Sequence, residues 1–189
     1  MENTAAALLL RAQAADAEAF GQLYALYANE LYAYALAVLR DPHDAEDAVQ
    51  EACVRVYRAV RSIRKPERFK AYFFKTLSNT AKTLARKRTL TVVTDEIEPT
   101  APDITNDVHT AELRADLQKA LAALKDDERQ VVLLSAIAGL RSAEIAEALG
   151  MTAGTVRSKL SRALRKMRPF LAETGRESEL NDKRRIKIF

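Results

Sequence analysis

The chain has 189 residues, 48% of them hydrophobic and 30% charged, with a formal net charge of +4. That is enough apolar material for one large domain or two small ones, and it excludes an intrinsically disordered chain. Only five Gly and five Pro interrupt long Ala- and Leu-rich segments, alternating β-branched runs are nearly absent and there is one Cys, so a β-sheet protein and an internal disulfide framework are both excluded and an all-α fold is predicted.

No apolar run approaches the roughly 20 residues needed to span a bilayer. The opening MENTAAALLLRAQAAD has an early acid and no basic stretch ahead of its apolar residues, so neither membrane insertion nor a signal peptide is expected and a cytoplasmic protein is. Charge is arranged in blocks. Arg55 to Leu90 holds twelve Lys or Arg and one acid, Glu67, whereas Thr91 to Ala111 holds five acids and no base.

From Thr4 to Arg40 the text reads as helix, interrupted at most by a bend near Asp16, with Phe20, Leu23, Tyr27, Leu31, Tyr34 and Val38 as a core face. Asp41 and Pro42 break it. A new helix is expected from His43 or Asp44, burying Ala45, Ala48, Val49, Ala52, Val56, Val60 and Ile63, with Cys53 as a small buried neighbour. Its other face starts with Asp44, Glu46, Asp47 and Glu51 and continues with Arg55, Arg58 and Arg61, an order that complements the helix dipole.

A turn at RKPER (Arg64 to Arg68) leads into FKAYFFKTLSNTAKTLARKR, where Phe69, Tyr72, Phe73 and Phe74 alternate with Lys70 and Lys75. Some of these rings must enter a core. Rings left accessible beside lysines and Asn79 form a composition suited to single-stranded or unpaired nucleic acid. Residues 91–106, with two prolines and several Thr and Asp, read as a flexible acidic linker.

Beyond the linker, 107–171 is read as a second helical domain. One helix contains Leu113, Leu117, Leu121 and Leu124, another runs through VVLLSAIAGL, and RSAEIAEALGMTAGTVRSKLSRALRKM follows. Ser142 is expected to cap a short helix burying Ile145, Ala146 and Leu149, which Gly150 ends in a left-handed cap. Thr152 then caps a longer helix with Val156, Leu160, Ala163, Leu164 and Met167 on one stripe, expected to stop at Pro169. Opposite that stripe lie Ser158, Ser161, Arg162 and Arg165, with Arg157 and Lys159 on the flanks; Ala153 to Leu171 carries six Lys or Arg and no acid. A short helix, a three-residue turn with glycine and a basic helix make a helix-turn-helix, whose second helix suits a DNA major groove. The tail 172–189 is too charged and short to add a core.

DPHDAEDAVQEACVRVYRAV, FKAYFFKTLSNTAKTLARKR and LKDDERQVVLLSAIAGLRSAEIAEALGMTAGTVRSKLSRALRKM, in this order and spacing from about Leu8 to Leu171, closely resemble the bacterial extracytoplasmic-function sigma factors. The resemblance implies two small helical domains: 1–90 binding core RNA polymerase and recognising and melting a minus-ten element, and 107–171 recognising a minus-thirty-five element. It implies contact of Asp44, Asp47, Gln50 and Glu51 with the clamp helices of the largest polymerase subunit. It assigns Arg64, Lys65, Arg68, Phe69, Asn79, Lys82 and Arg86 to the minus-ten element, helped by Lys87 and Arg88. It assigns Thr155, Arg157, Ser158, Lys159, Arg162 and Arg165 to the minus-thirty-five element, with Lys159 and Arg165 expected to clamp phosphates. It implies an anti-sigma partner, often membrane-associated in the family, and a free monomer that becomes one subunit of the holoenzyme. Tyr72 stands where the family often has Trp, and Ala52-Cys53 replaces a bulkier apolar pair.

The alternative is an autonomous helix-turn-helix regulator that binds duplex DNA alone; its sensing domain would have no evident use for the acidic DAEDAVQE helix followed by the basic aromatic one. An enzyme is not expected, nor a cofactor or metal: His43 and His109 lack metal-ligand spacing, there is no Gly-rich phosphate loop, and no Ser or Cys has a neighbouring base.

Overall fold

A computed structural model describes residues 2–91 and 108–172, with side chains described for 4–87 and 115–171. The linker segment 92–107, the tail 173–189 and the side chains of Arg88, His109 and Leu113 lie outside the described residues. The described residues hold helices and no strand, and the chain divides into two compact units between Ala101 and Pro102.

In the first unit the stretch before Arg40 forms three helices, α1 (Glu2–Gln13), α2 (Ala17–Ala25) and α3 (Ala28–Leu39), where one helix with at most a bend was expected. The first break is local chemistry. Ala15 turns left-handed at φ 69°, and Asp16 accepts a 2.9 Å hydrogen bond from the Ala19 amide while Arg11 holds its other oxygen at 2.7 Å. The second break contains neither Gly nor Pro. Tyr27 leaves helical geometry at φ −121°, ψ −4°, and its ring lies against Phe69, 6.1 Å between centroids.

Helix α4 (Pro42–Ala59) begins one or two residues earlier than expected, because Asp41 is itself the cap, its carboxylate accepting from the Asp44 amide at 2.9 Å. Pro42 does not delay this helix; its fixed φ suits the first helical position, where no amide bond is needed. All seven expected core positions from Ala45 to Ile63 are buried. Cys53 is only half-buried. A short 3-10 turn (Val60–Ser62) ends α4, and a second one (Pro66–Arg68) leads into α5 (Phe69–Thr91). Helices α3 and α5 both pack on α4, around Leu31, Tyr34, Phe69, Phe73, Phe74 and Leu77. Edge-to-face ring contacts, Tyr34 on Phe74 at 5.7 Å and Phe69 on Phe73 at 5.9 Å, organise that core.

The second unit contains α6 (Val108–Ala122), α7 (Asp126–Ala136), α8 (Ser142–Leu149) and α9 (Ala153–Ala172), with α9 packed against the other three. Ala120, Leu124, Val132, Ala163 and Met167 form its buried cluster, flanked by Leu117, Leu121 and Leu160. Arg129 fastens α7 to the end of α6 by donating to the carbonyls of Leu121, which also takes the Leu124 amide, and Leu124 at 3.0 and 3.2 Å, where the helical ladder runs out.

Candidate nucleic-acid and polymerase interfaces

The turn between α8 and α9 is built by local chemistry. Arg141, not Ser142, is the cap residue of α8: its amide donates to Glu144 at 2.7 Å, and Ser142 is the first helical residue. Gly150 closes α8 at φ 67°, ψ 37°, and its amide and that of Met151 both donate to the Ala146 carbonyl. Thr152 caps α9, its hydroxyl accepting from the Thr155 amide at 3.1 Å. The helix then continues through Pro169 to Ala172 instead of stopping there. Pro169 is exposed and near the helix end, so the missing amide breaks only one bond in the last turn.

On α9, Arg157, Ser158, Ser161, Arg162 and Arg165 are exposed, opposite buried Val156, Ala163 and Met167. Thr155 is partly buried in the cap, and the Arg162 guanidinium donates to the Ser158 carbonyl at 3.3 Å, lying along the helix. Lys159 is placed differently from its expected role at a phosphate. Its ammonium is bound to the Asp127 carboxylate at the start of α7, and its side chain is mostly buried. Two turns further along, Lys166 binds Glu128 at 2.7 Å. Each bond holds its carboxyl below the usual range, the lysine hydrogen bond being the main cause in both cases. The basic face of α9 is therefore trimmed by two acids from α7. Sequence reading missed both, because 32 and 38 residues separate the partners.

In the first unit, Asp47, Gln50 and Glu51 are exposed on α4 and Asp44 is partly exposed, all away from the Ala45–Ala48–Val49–Ala52 stripe. Glu51 pairs with Arg55 at 2.5 Å, one turn on. Arg64, Lys65 and Arg68 stand exposed on the loop formed by the two 3-10 turns. Phe69 does not join them. It is 1% exposed, its ring held between Tyr27 and Phe73, so the sequence expectation that placed it with the DNA-facing set is corrected: the ring anchors the loop's end in the core.

Asn79, Lys82 and Arg86 recur at three- and four-residue steps on α5, with Asn79 and Arg86 exposed and Lys82 partly so. Partly exposed Tyr72 and exposed Lys75 extend that stripe toward the loop, and neither was in the expected set. Helical spacing from Asn79 back to Tyr72 was the signal that would have found them. Lys70 is committed elsewhere: it binds Glu30 at 2.6 Å and lies over the Tyr27 ring, 5.4 Å from its centre. Among the described residues no group of His, Cys, Asp and Glu is arranged to hold a metal ion, and no helix is long and apolar enough to cross a membrane.

Residues 23–91 match the family Sigma-70 region 2, and residues 114–167 match Sigma-70, region 4. Both are regions of sigma-70-type transcription factors. Among curated relatives, the chain is 33% identical over 170 residues to the ECF RNA polymerase sigma factor SigL of Mycobacterium tuberculosis, covering 87% of this chain and 95% of that one. It is 32% identical over 163 residues to the ECF RNA polymerase sigma factor SigE of Mycolicibacterium smegmatis, covering 83% of this chain and 63% of that longer protein. The chain belongs to the extracytoplasmic-function (ECF) sigma factors of RNA polymerase. Solved structures agree. CnrH in complex with the cytosolic domain of CnrY superposes with a TM-score of 0.70 at 26% identity, covering 90% of this chain and 98% of that one. RpoE in complex with the anti-sigma factor NepR from Bartonella quintana gives 0.68 at 27%, covering 81% and 96%.

Proposed function

We propose that this sigma factor divides promoter recognition between its two units and acts by binding alone, without a covalent step. The segment 1–90 docks on the clamp helices of core RNA polymerase through Asp44, Asp47, Gln50 and Glu51, and takes hold of a minus-ten element with Arg64, Lys65, Arg68 and the Asn79–Lys82–Arg86 stripe. The segment 107–171 reads a duplex minus-thirty-five element with Thr155, Arg157, Ser158, Arg162 and Arg165, and 91–106 links the two. The observation that carries this reading is the pairing, in one chain, of an acidic exposed helix face followed by a basic loop with a basic recognition helix after a glycine-closed turn.

Physical chemistry supports the division. Opening a duplex requires a partner that binds separated strands better than paired ones, and an unstacked base held in a pocket offsets a few kcal/mol of unstacking. Exposed arginines and lysines near that base add phosphate contacts that give affinity without sequence. On α9, exposed Arg157 and Arg162 have the fork geometry that reads guanine in the major groove. Polar groups on the α4 face set orientation and choice of partner more than bulk affinity. Free, the protein is a cytoplasmic monomer, and it is restrained by an anti-sigma factor; the structure of the similar RpoE in complex with the anti-sigma factor NepR supports a partner of that kind.

The test is transcription by purified bacterial core polymerase, with and without this protein, on a pooled promoter library. The reading expects specific transcripts whose start sites share two spaced upstream elements, lost with the charge reversals Asp47→Lys and Glu51→Lys. Tight duplex binding by the protein alone, with no gain of initiation by core polymerase, would replace the reading with an autonomous regulator.

A further inference from the structure

Helix α1 lies outside the set of elements that carry the surfaces above, yet it is fixed to the loop that exposes Arg64, Lys65 and Arg68. It packs against both 3-10 turns bounding that loop, with Leu8, Leu9 and Ala12 buried. At its last residue, the Gln13 side-chain amide donates to the Ile63 carbonyl at 2.7 Å and to the Val60 carbonyl at 3.2 Å, both partly buried. These bonds span 50 and 47 residues of sequence. The acceptors lie at the short 3-10 turn that follows α4: the Val60 carbonyl also takes the Ile63 amide at 3.2 Å, so Gln13 is its second donor, and the Ile63 carbonyl is the first past the turn. Two carbonyl acceptors also fix which way the amide points, since only its nitrogen can donate to both.

The consequence is positional. Ile63 is where the backbone becomes extended, at φ −79° and ψ 97°, and Arg64 follows immediately. At the other end of the loop Phe69 is sunk in the core. Residues 64–68, of which Arg64, Lys65, Glu67 and Arg68 are exposed, are therefore suspended between two anchors, one a buried ring and the other a buried Ile63 whose carbonyl Gln13 holds. A short loop fixed at both ends loses less conformational entropy when it closes on a ligand.

We propose that Gln13 is a positioning residue for promoter melting: by clamping the Val60 and Ile63 carbonyls on either side of the 3-10 turn it presets the 64–68 loop that grips the separated strand. This rests on the reading of that loop as a minus-ten contact. Gln13 touches no DNA in this scheme and acts through the loop backbone.

The discriminating variant is Gln13→Met, which keeps length and volume and removes the donor. Amide hydrogen exchange of the free full-length chain reads the loop without DNA: the Ile63 and Arg68 amides, bonded to the Val60 and Lys65 carbonyls, are expected to exchange about tenfold faster, the scale of one or two lost hydrogen bonds, with the middle of α5 and the second unit unchanged. Gln13→Lys, which returns a donor at similar reach, is expected to restore the protection. Holoenzyme is then titrated with a single-stranded oligonucleotide of the minus-ten element recovered from the promoter pool, carrying a fluorescent base. Capture by Q13M is expected to weaken about tenfold, with core affinity held and the first unit's thermal midpoint lowered by no more than the few degrees that one or two hydrogen bonds are worth. Unchanged exchange at Ile63 and Arg68 overturns the proposal, and so does equal capture by wild type and Q13M while wild-type capture is strong. If the wild-type holoenzyme captures no single strand, the reading of the loop fails first and the proposal falls with it.

Discussion

Replacing Asp127 with Asn tests the idea that α7 holds back part of the charge on α9. Lys159 gives its ammonium to Asp127 and is mostly buried, so as built it offers no free charge to a phosphate. Each phosphate neutralised on B-DNA contributes about 0.9 to the slope of log affinity against log salt. Releasing one lysine to a phosphate would then steepen the slope by about 0.9 and strengthen duplex binding about fivefold near 0.15 M salt. The cost in stability is small, on the order of 0.5 kcal/mol, because the carboxylate is partly solvated. Since the Asp127 pKa is lowered on folding, the pair's contribution is full above the ordinary carboxylate range and lost as pH falls through the folded-state value; D127N removes that share of the acid sensitivity. The assay is fluorescence anisotropy of the full chain on duplex carrying the upstream element, across a salt series. An unchanged slope, or weaker binding by D127N, would refute the reasoning and make the pair a brace for the recognition helix.

Three further substitutions probe the frame. Phe69→Ala removes a ring that is 1% exposed and should cost about 3–5 kcal/mol of the first unit's stability in urea unfolding, whereas a loss under about 1 kcal/mol would mean the ring is free to meet DNA. Gly150→Ala meets no atom within 4 Å of the added carbon, so its penalty is the left-handed backbone alone, about 1 kcal/mol, read as a drop of a few degrees in the second unit's melting midpoint. Tyr34→Phe deletes a buried hydroxyl that interacts with the buried Ser78 hydroxyl without reaching good hydrogen-bond geometry, and should change stability at pH 7 by no more than about 1 kcal/mol. Burial pushes the Tyr34 pKa up to about 12, so the folded chain keeps its proton where the unfolded chain loses it. From pH 10 to about 12 stability should therefore fall by as much as roughly 1.4 kcal/mol per pH unit, a slope that Y34F reduces in urea titrations at pH 7 and 11.

What could be read from sequence was governed by short-range rules. The buried stripe of α4, the left-handed Gly150 and the Thr152 cap all depend on residues within a turn or two of each other, and each was legible. The errors have physical causes of two kinds. Local signals were overweighted at Pro42 and Pro169, where position in the helix decides whether proline breaks it, and at Ser142, where Glu144 serves as the capping acceptor for Arg141. Long-range contacts were invisible at Tyr27, Phe69 and Lys159. An aromatic beside a basic loop looks the same in sequence whether its ring faces solvent or Phe73, and a lysine on a basic helix does not announce a carboxylate 32 residues away. Gln13 belongs to the same class: an ordinary polar residue at a helix end, given its part by two carbonyls on another element.

The central claim, that one unit engages separated strands while the other reads duplex, is tested most directly by promoter opening in real time. A promoter from the pooled selection carries a fluorescent adenine analogue within its minus-ten element, and its emission rises on unstacking. The account predicts a rise with holoenzyme, none with core polymerase or the protein alone, a loss of opening in a combined Lys65→Ala and Arg68→Ala variant that still binds the duplex minus-thirty-five element, and weakened duplex binding in Arg157→Ala. Opening that survives the loop substitutions undiminished, or that the isolated protein produces without polymerase, would contradict it.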